Sequence, residues 1–438
     1  MFRSFAIANF RLWFAGALVS NVGTWMQRIA QDWLVLTQLT DEDATAVGVT
    51  MALQFGPQLL LLPLTGLVAD RMDRRHLLMI TQAVSGLLGI GMAVVTLTGV
   101  VNLWILFAFA LGLGVTAAFD APARQAFVSD LVPTGSLSNA VALNSTSFNS
   151  ARLVGPAVAG LLVAAVGAGW VFLINGVTFA APLVALALLK TSEFTAFTRP
   201  PRARGQLLGG FRYVRRRPDI LLVLTMIAIL GTLGFNFPIF ISAMTRIEFG
   251  EDAAAYGVLS SVIAIGSVSG ALLSARRERP RLRTMTLASA GFGASIGAAA
   301  LMPNPIAFGV ALVFVGFAGL TVMTTANAYV QTTTAPAMRG RVMAIYLAIF
   351  MGGTPVGAPL IGWVADTLGP RWALGIGAAS GFVAAGFAAV YWVRTRQVRV
   401  RWTRGGGWPL TLRYGRDSDA DRELATTEIA IVETQTQR

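Results

Sequence analysis

The chain has 438 residues, 55% hydrophobic and only 13% charged, with a formal net charge of +13. Soluble domains carry roughly 25% charged residues, so this composition lacks the polar shell that a soluble enzyme of such length needs. Cysteine is absent and His76 is the sole histidine, which excludes disulfides, thiolate catalysis and cysteine-ligated metals.

Apolar runs long enough to cross a bilayer, about 20 residues each, recur along the whole chain. They fall at 10–39, 46–69, 77–98, 102–123, 139–166, 170–190, 220–244, 254–275, 284–302, 305–328, 342–365 and 371–393. Backbone groups in hydrocarbon must pair internally, so each run is predicted to be a helix and the chain an all-α membrane protein of twelve crossings. The first run is too long and too polar for a secretory signal, and no small-residue cleavage site follows it. Six helices fall within 1–190 and six within 220–393. Between them, 191–219 is a polar, Pro- and Arg-rich loop in which Leu207 to Val214 has the pattern of a short amphipathic helix. The tail 394–438 is predicted to be mostly disordered. Its start, where Val398, Val400 and Trp402 alternate with arginines, is expected to be drawn to anionic lipid.

Twelve crossings put both termini on one side. With that side in the cytoplasm, the inner segments hold Arg3, Arg11, Arg71, Arg74, Arg75, Arg124, seven arginines from Arg199 to Arg217, five from Arg276 to Arg283, Arg339, Arg341 and nine in the tail. The outer loops hold only Arg246 and Arg371, against Asp41, Glu42, Asp43, Glu248, Glu251, Asp252 and Asp366. This asymmetry predicts cytoplasmic N- and C-termini in an inner or plasma membrane. It also accounts for the basic excess without nucleic acid, because the basic patches alternate with membrane-length apolar runs.

The two halves are related. Ala142, Phe148, Gly155, Gly160, Gly167 and Trp170 match Ala344, Phe350, Gly357, Gly362, Gly369 and Trp372 at a constant offset of 202 residues. Parallel six-helix repeats place a substrate site near the midplane, reached alternately from each side, which is the architecture of a secondary transporter. ATP drive within the chain is excluded, since a phosphate-binding loop needs Gly-Lys-Ser/Thr and the only lysine, Lys190, follows Leu189. Membrane-embedded catalysis lacks its His, Cys or paired carboxylates. Neither cofactor nor metal is expected, and the chain is read as a monomer.

Titratable groups inside the runs are few, and each is costly there and therefore a functional candidate. They are Arg28 and Asp32 in the first run, Arg152 in the fifth, and Asp120 near the inner end of the fourth; His76 is read as a loop residue. Asp32 lies four residues after Arg28 on the same helix face. Ser20, Thr24, Gln27 and Gln31 extend that face into a polar stripe, read as a water-accessible cavity wall. Asp32 is the expected proton carrier, alternating between an ionised form paired with Arg28 or Arg152 and a protonated form, with substrate and proton competing. The competing reading is a permanent structural ion pair near the outer boundary, since Asp32 falls about 30 Å from the inner end at 1.5 Å per residue. Candidate substrate contacts are Trp25, Gln27, Gln31, Trp33, Gln54, Asn144, Asn149, Phe235, Asn236 and Phe237. Such a cavity suits large amphipathic molecules, cationic ones included, and not phosphorylated ones.

The segment Gly66-Leu-Val-Ala-Asp70-Arg71-Met72-Asp73-Arg74-Arg75 resembles the cytoplasmic-loop signature of the major facilitator superfamily, with Asp73 where that family usually has Gly. The resemblance implies a latch of Gly66, Asp70, Arg71, Arg74 and Arg75, with Asp120 and Arg124, that holds the halves together in an outward-open state. The second-half counterpart, Gly270 to Arg279, has Ser274 in place of the Asp. Ala151-Arg152-Leu-Val-Gly155-Pro156-Ala-Val-Ala159-Gly160 resembles the Gly-Pro signature of the superfamily's antiporters, departing from it at Ala151 and Ala159. Pro156 is expected to kink its helix, and Gly155 and Gly160 to permit close helix contact. Asp120-Ala-Pro122-Ala-Arg124-Gln125 and Arg339-Gly-Arg341 resemble the drug–proton antiporter branch that includes bacterial siderophore and macrolide exporters. Another branch carries Arg-x-x-Gln-Gly-x-Gly in the fourth helix, but Ala108 and Leu111 stand at the Arg and Gln positions here, so that Arg's proton role does not carry over. The resemblance covers residues 1–393. It implies two pseudo-symmetric six-helix bundles and proton-coupled export of drugs or amphipathic small molecules, with multidrug resistance, in a bacterial inner membrane. A nutrient or lipid uniporter or flippase of the same fold remains open, as does a non-transporting scaffold that would tolerate neutralisation of Arg28, Asp32 and Arg152.

Overall fold

The structure is a computed structural model that describes residues 3–194, 206–275, 280–396, 399–402 and 410–413. The N-terminal bundle begins with α1 (Ala8–Leu34), prolonged by a π-helical turn at Val35–Leu39. Next come α2 (Ala44–Leu60) and α3 (Leu62–Arg71), one crossing broken at Leu61 just before Pro63, which has no N–H to continue the ladder. The bundle is completed by α4 (Arg74–Leu97), α5 (Leu103–Leu131), α6 (Thr134–Val166), α7 (Ala168–Thr178) and α8 (Ala180–Leu188). A lateral helix, α9 (Gln206–Arg215), leads to the second bundle. That bundle comprises α10 (Pro218–Ile229), α11 (Phe237–Ala243), α12 (Ala253–Ala275), α13 (Leu282–Ala300), α14 (Pro305–Thr333), α15 (Pro336–Leu368) and α16 (Pro370–Arg396).

Among the described residues, nine helical segments are long and apolar enough to cross a membrane. The remaining positions of the six-plus-six order are filled by α1 with its polar stripe, by the broken α2–α3 pair, and by α13, short and rich in Gly, Ala and Ser. Several helices outrun their apolar runs: α5 continues to Leu131 and α6 starts at Thr134. Hydropathy reads the thickness of the bilayer, whereas the helix continues into the interface as long as its backbone bonds do.

The 202-residue offset is structural. It maps both ends of α5 onto α14 and both ends of α6 onto α15. Asn102 and Asn304, also 202 apart, each cap the following helix by accepting from the N–H three residues on, at 2.9 Å. Gly167 and Gly369 end the paired helices at φ 86° and 100°, a backbone region that other L-residues rarely adopt.

The helix α9 covers the predicted amphipathic segment and docks on the C-terminal bundle. The Tyr213 hydroxyl accepts from Arg217 and from the Ala335 N–H, each at 3.2 Å, while Arg217 forks onto Asp219 at 2.9 and 2.8 Å. In the tail, read from sequence as mostly disordered, β1 (Arg399–Trp402) pairs antiparallel with β2 (Leu410–Arg413). Residues 394–396 end α16, and the rest of the tail lies outside the described residues.

Chain direction defines two faces. One carries both chain ends and the α5–α6 and α14–α15 turns; the other carries the loops that follow α1, α4 and α13. On this far face the bundles are shut. A Cβ at Gly160 of α6 would meet the Ala253 carbonyl of α12, and one at Gly257 would meet the Pro156 carbonyl. The same holds between α2 and α15, where Gly48 abuts the Ala358 carbonyl and Gly362 the Ala44 carbonyl. Above these contacts the Asp366 carboxylate accepts from Ala44 N–H at 2.7 Å and Thr45 N–H at 2.8 Å, so a residue of one bundle caps a helix of the other. Asp43 caps the same helix by accepting from Ala46 N–H at 2.9 Å, and Arg246 bridges to Glu42 at 2.8 Å.

Two outcomes follow from this seam, and a chain without cysteine makes single-cysteine labelling a clean readout. Gly160→Val is expected to prise α6 from α12 and raise thiol labelling of a cysteine at 253 from the far face several-fold; unchanged labelling contradicts the packing account. Burial, opposed by the Ala46 N–H bond and reinforced by the neighbouring Asp366 carboxylate, holds the Asp43 carboxyl above the usual carboxylate range. A raised pKa means the shut form disfavours the ionised carboxyl, so closure strengthens as pH falls through that value and weakens as it rises. Asp43→Asn retains a capping side chain without the charge. It is expected to reduce far-face labelling at neutral pH and to match the parent protein in acid, where Asp43 is protonated.

Candidate functional site

A cavity of about 750 Å³ is walled by α1, α2, α4, α5, α6 and α7, with Met351 reaching in from the other bundle. Gln125 and Val128 near the end of α5, and Val141 and Asn144 near the start of α6, line its mouth. The cavity therefore opens on the face that carries the chain ends. At its blind end Arg28, Gln54 and Phe55 lead into a smaller chamber of about 170 Å³, walled by both bundles. Trp25, Arg152 and Pro156 form one side of the chamber, and Phe235, Phe237 and Tyr256 the other.

Local irregularities aim these side chains. Between α10 and α11 the chain makes a π-helical turn at Leu230–Gly234 and leaves helical geometry at Phe235 and Asn236. Pro238, without an N–H, fixes the restart. This broken crossing at membrane depth turns Phe235 and Phe237 into the chamber, the type of discontinuity from which transporter sites are built. On the opposite wall Gly155 lets α1 approach α6, since a Cβ there would sit 2.7 Å from the Trp25 Cβ. The carbonyl of the next residue, Pro156, and Gly160 about one turn on face α12. The Gly-Pro motif thus fastens α6 to its own bundle and to the other.

The charges are arranged differently from the expected ion pair. Asp32 is 3% exposed, and its Oδ2 accepts from the Tyr256 hydroxyl of the opposite bundle at 3.2 Å, while Oδ1 has no partner among the described residues. Tyr256 itself stacks on Trp33, with centroids 5.8 Å apart. The Arg28 guanidinium lies between the rings of Trp25, at 5.0 Å, and Phe55, at 4.9 Å, and Arg152 lies 5.8 Å from the same Trp25 ring. Among the described residues neither arginine is within ion-pairing distance of a carboxylate. In this conformation the expected pairing of Asp32 with Arg28 or Arg152 is not formed: aromatic rings hold the guanidinium groups and a phenol from across the seam holds the carboxylate.

The polar stripe of α1 is partly on the wall. Thr24, Gln27 and Gln31 line the cavity, whereas Ser20 is buried and donates to the Ala17 carbonyl. Gln27 accepts from Asn175, and Gln31 accepts from Gln54 at 3.0 Å. Asn144 and Asn149 also line the wide cavity, and Asn149 donates to the Ser145 carbonyl of its own helix at 2.8 Å. Two expected contacts move off the wall: Asn236 is fully buried and donates to the Thr232 carbonyl at 2.8 Å, and Trp33 is covered by Tyr256. The unwinding of α10–α11 turns Asn236 inward while its neighbours Phe235 and Phe237 face the chamber. Tyr256 was not legible in the sequence, because its partner comes from the other bundle and no repeat position marks it.

The latch candidates sit on the terminus-bearing face. Asp120 pairs with Arg124 at 3.0 Å and accepts from Thr81 and Gln82 at 2.8 and 2.6 Å. Arg74 bridges to Asp130 at 2.6 Å, and Arg75 donates to the Leu186 and Ala187 carbonyls at 2.7 and 3.2 Å. All these partners belong to the N-terminal bundle. Arg71 is exposed, and Gly66 and Asp70 lie in α3, the Asp70 side chain outside the described residues. Asp73, the departure from the signature, caps α4 by accepting from His76 N–H at 3.0 Å, so His76 belongs to the first turn of a helix instead of a loop.

Residues 1–402 match a family described as transmembrane secretion effectors. The chain is 26% identical to the staphyloferrin A transporter of Staphylococcus aureus over 82% of this chain and 90% of that protein. It is 27% identical to the enterobactin exporter EntS of Escherichia coli strain HS over 85% of this chain and 88% of that protein. In fold it is similar to a D-xylose–proton symporter, with a TM-score of 0.68 at 13% identity over 86% and 96% of the two chains. It is also similar to a bacterial homologue of the human lysosomal transporter Spinster in its inward-facing, unoccupied conformation, with a TM-score of 0.66 at 14% identity over 87% and 94%. Family and architecture agree: the chain belongs to the transmembrane secretion effector family of the major facilitator superfamily, and is a multi-pass membrane transporter of small molecules and not an enzyme.

Proposed function

We propose that this protein is a proton-driven exporter of amphipathic small molecules, of the drug or siderophore kind, working by antiport and alternating access as a monomer in a bacterial inner membrane. Residues 1–190 and 220–393 are the rocking units, 191–219 connects them, and both termini and the tail 394–438 are cytoplasmic, where the tail's basic start meets anionic lipid. The names of the relatives, an enterobactin exporter and a staphyloferrin A transporter, support the substrate class. The arginine asymmetry between the two faces supports the orientation.

One observation carries the reading: Asp32, the carboxylate among the described residues lining the chamber, is bonded across the bundle seam to Tyr256. Opening of the far face must part α12 from α1 and α6, so the same motion that admits outside water removes the phenol from the carboxylate. Asp32 then takes a proton from outside and releases it after the seam closes and the inner cavity opens. The buried groups without partners among the described residues, Asp32 Oδ1 and Gln31 Nε2 among them, are ones that a proton, water or substrate satisfies during the cycle. In the alternate state the Gly66 to Arg75 segment, with Asp120 and Arg124, closes the cytoplasmic face. Gln27, Gln31, Gln54, Asn144 and Asn149 present the substrate with hydrogen-bond groups, and Trp25 and Phe235 with aromatic surface.

Uptake of a dye substrate into inverted vesicles under an imposed pH gradient tests the coupling. Asp32→Asn is expected to abolish the gradient-driven component at least tenfold while leaving downhill counterflow. Undiminished gradient-driven uptake removes Asp32 as the carrier, and gradient-independent uptake by the parent protein would instead mark a uniporter.

A further inference from the structure

We propose that Arg28 and Arg152 form an anion subsite that takes a carboxylate or ionised phenolate on an aromatic arm of the transported molecule. The proposal rests on the export reading for its physiological sense, although its test reads binding alone.

The geometry of the two guanidinium groups points there. Each carries five N–H donors, and neither group donates a hydrogen bond to any described residue or meets a carboxylate within ion-pairing distance. Ring faces at 5.0, 4.9 and 5.8 Å position the two groups without satisfying those donors. Both side chains are partly exposed on the chamber wall, so these donors are open to a ligand, and a forked guanidinium matches the two oxygens of a carboxylate. The charge count agrees: two arginines face the chamber against one carboxylate, and Asp32 is engaged by Tyr256. A cationic ligand meets both guanidinium groups along with Asp32, so the cationic substrates allowed by the sequence are disfavoured. Size sets the form of the ligand. The chamber of about 170 Å³ suits one compact aromatic ring system with its anionic group, among Trp25, Phe55 and Phe235, while the cavity of about 750 Å³ suits the body of a larger amphiphile.

The test is titration of the purified full-length protein in detergent with 2-naphthoate, its neutral amide 2-naphthamide, and 2-naphthylmethylammonium, followed by calorimetry. The naphthoate is expected to bind about tenfold or more tighter than the amide, and the ammonium weakest, as lost charge-assisted hydrogen bonds would produce. Arg28→Gln and Arg152→Gln are each expected to abolish the naphthoate preference while changing amide binding less than about twofold. Arg152→Lys should keep part of the preference. Retained amide binding shows that the chamber is intact. Equal loss of naphthoate and amide, or an ammonium that binds as well as the naphthoate, overturns the subsite. The two readings fail separately: a naphthoate preference without gradient-driven uptake sinks only the exporter, and gradient-driven uptake with no naphthoate preference sinks only the subsite.

Discussion

The structure depends on how closely two pairs of helices meet across the far face. Where α6 crosses α12 and α2 crosses α15, glycine on one helix faces backbone carbonyl on the other, at a separation no side chain could occupy. In a bilayer the lipid is as apolar as the helices, so association draws on close packing and on polar bonds instead of hydrophobic exclusion. Glycine supplies the first and the Asp366 cap on α2 the second. This seam shuts one face, and the absence of comparable cross-bundle bonds among the described latch residues leaves the other open.

The seam is also where the chemistry lies. Below the glycine contacts, Tyr256 covers Asp32 and stacks on Trp33, the arrangement by which the proposed mechanism links the protonation state of a carboxylate to the separation of the bundles. The arginines stand apart from that pair, held by Trp25 and Phe55 at the mouth of the chamber. The proposed proton and anion sites are thereby separated by a few side chains within a single chamber. Such spacing lets either one bias the same two-state element without sharing an atom.

Much of this was legible in the sequence, for physical reasons. The bilayer imposes run length, so the crossings could be counted, and the 202-residue offset read from Ala142 to Trp170 marked α6 and α15 as counterparts; its extension to α5 and α14 came from the structure. Arg28, Asp32 and Arg152 announced themselves because charge in an apolar run needs a reason. What the sequence did not disclose was partnership. Helical spacing placed Arg28 beside Asp32, yet ring faces and a phenol from the other bundle compete for the two groups, and such competition is decided in three dimensions. The placement of Asn236 failed because it assumed a continuous helix where the chain unwinds. Asp73 stood out only as a departure from the signature, and it caps α4.

On the proposed mechanism the two faces open reciprocally and Asp32 sets the balance. Double electron–electron resonance on two doubly labelled proteins measures it, with spin labels at exposed Val100 and Leu301 on the far face and at Ser138 and Arg339 on the face of the chain ends. Across a pH series the account predicts that one distance lengthens as the other shortens, around a common midpoint, and that Asp32→Asn fixes both at one extreme. Distances that change independently, or that titrate unaltered in Asp32→Asn, would contradict it.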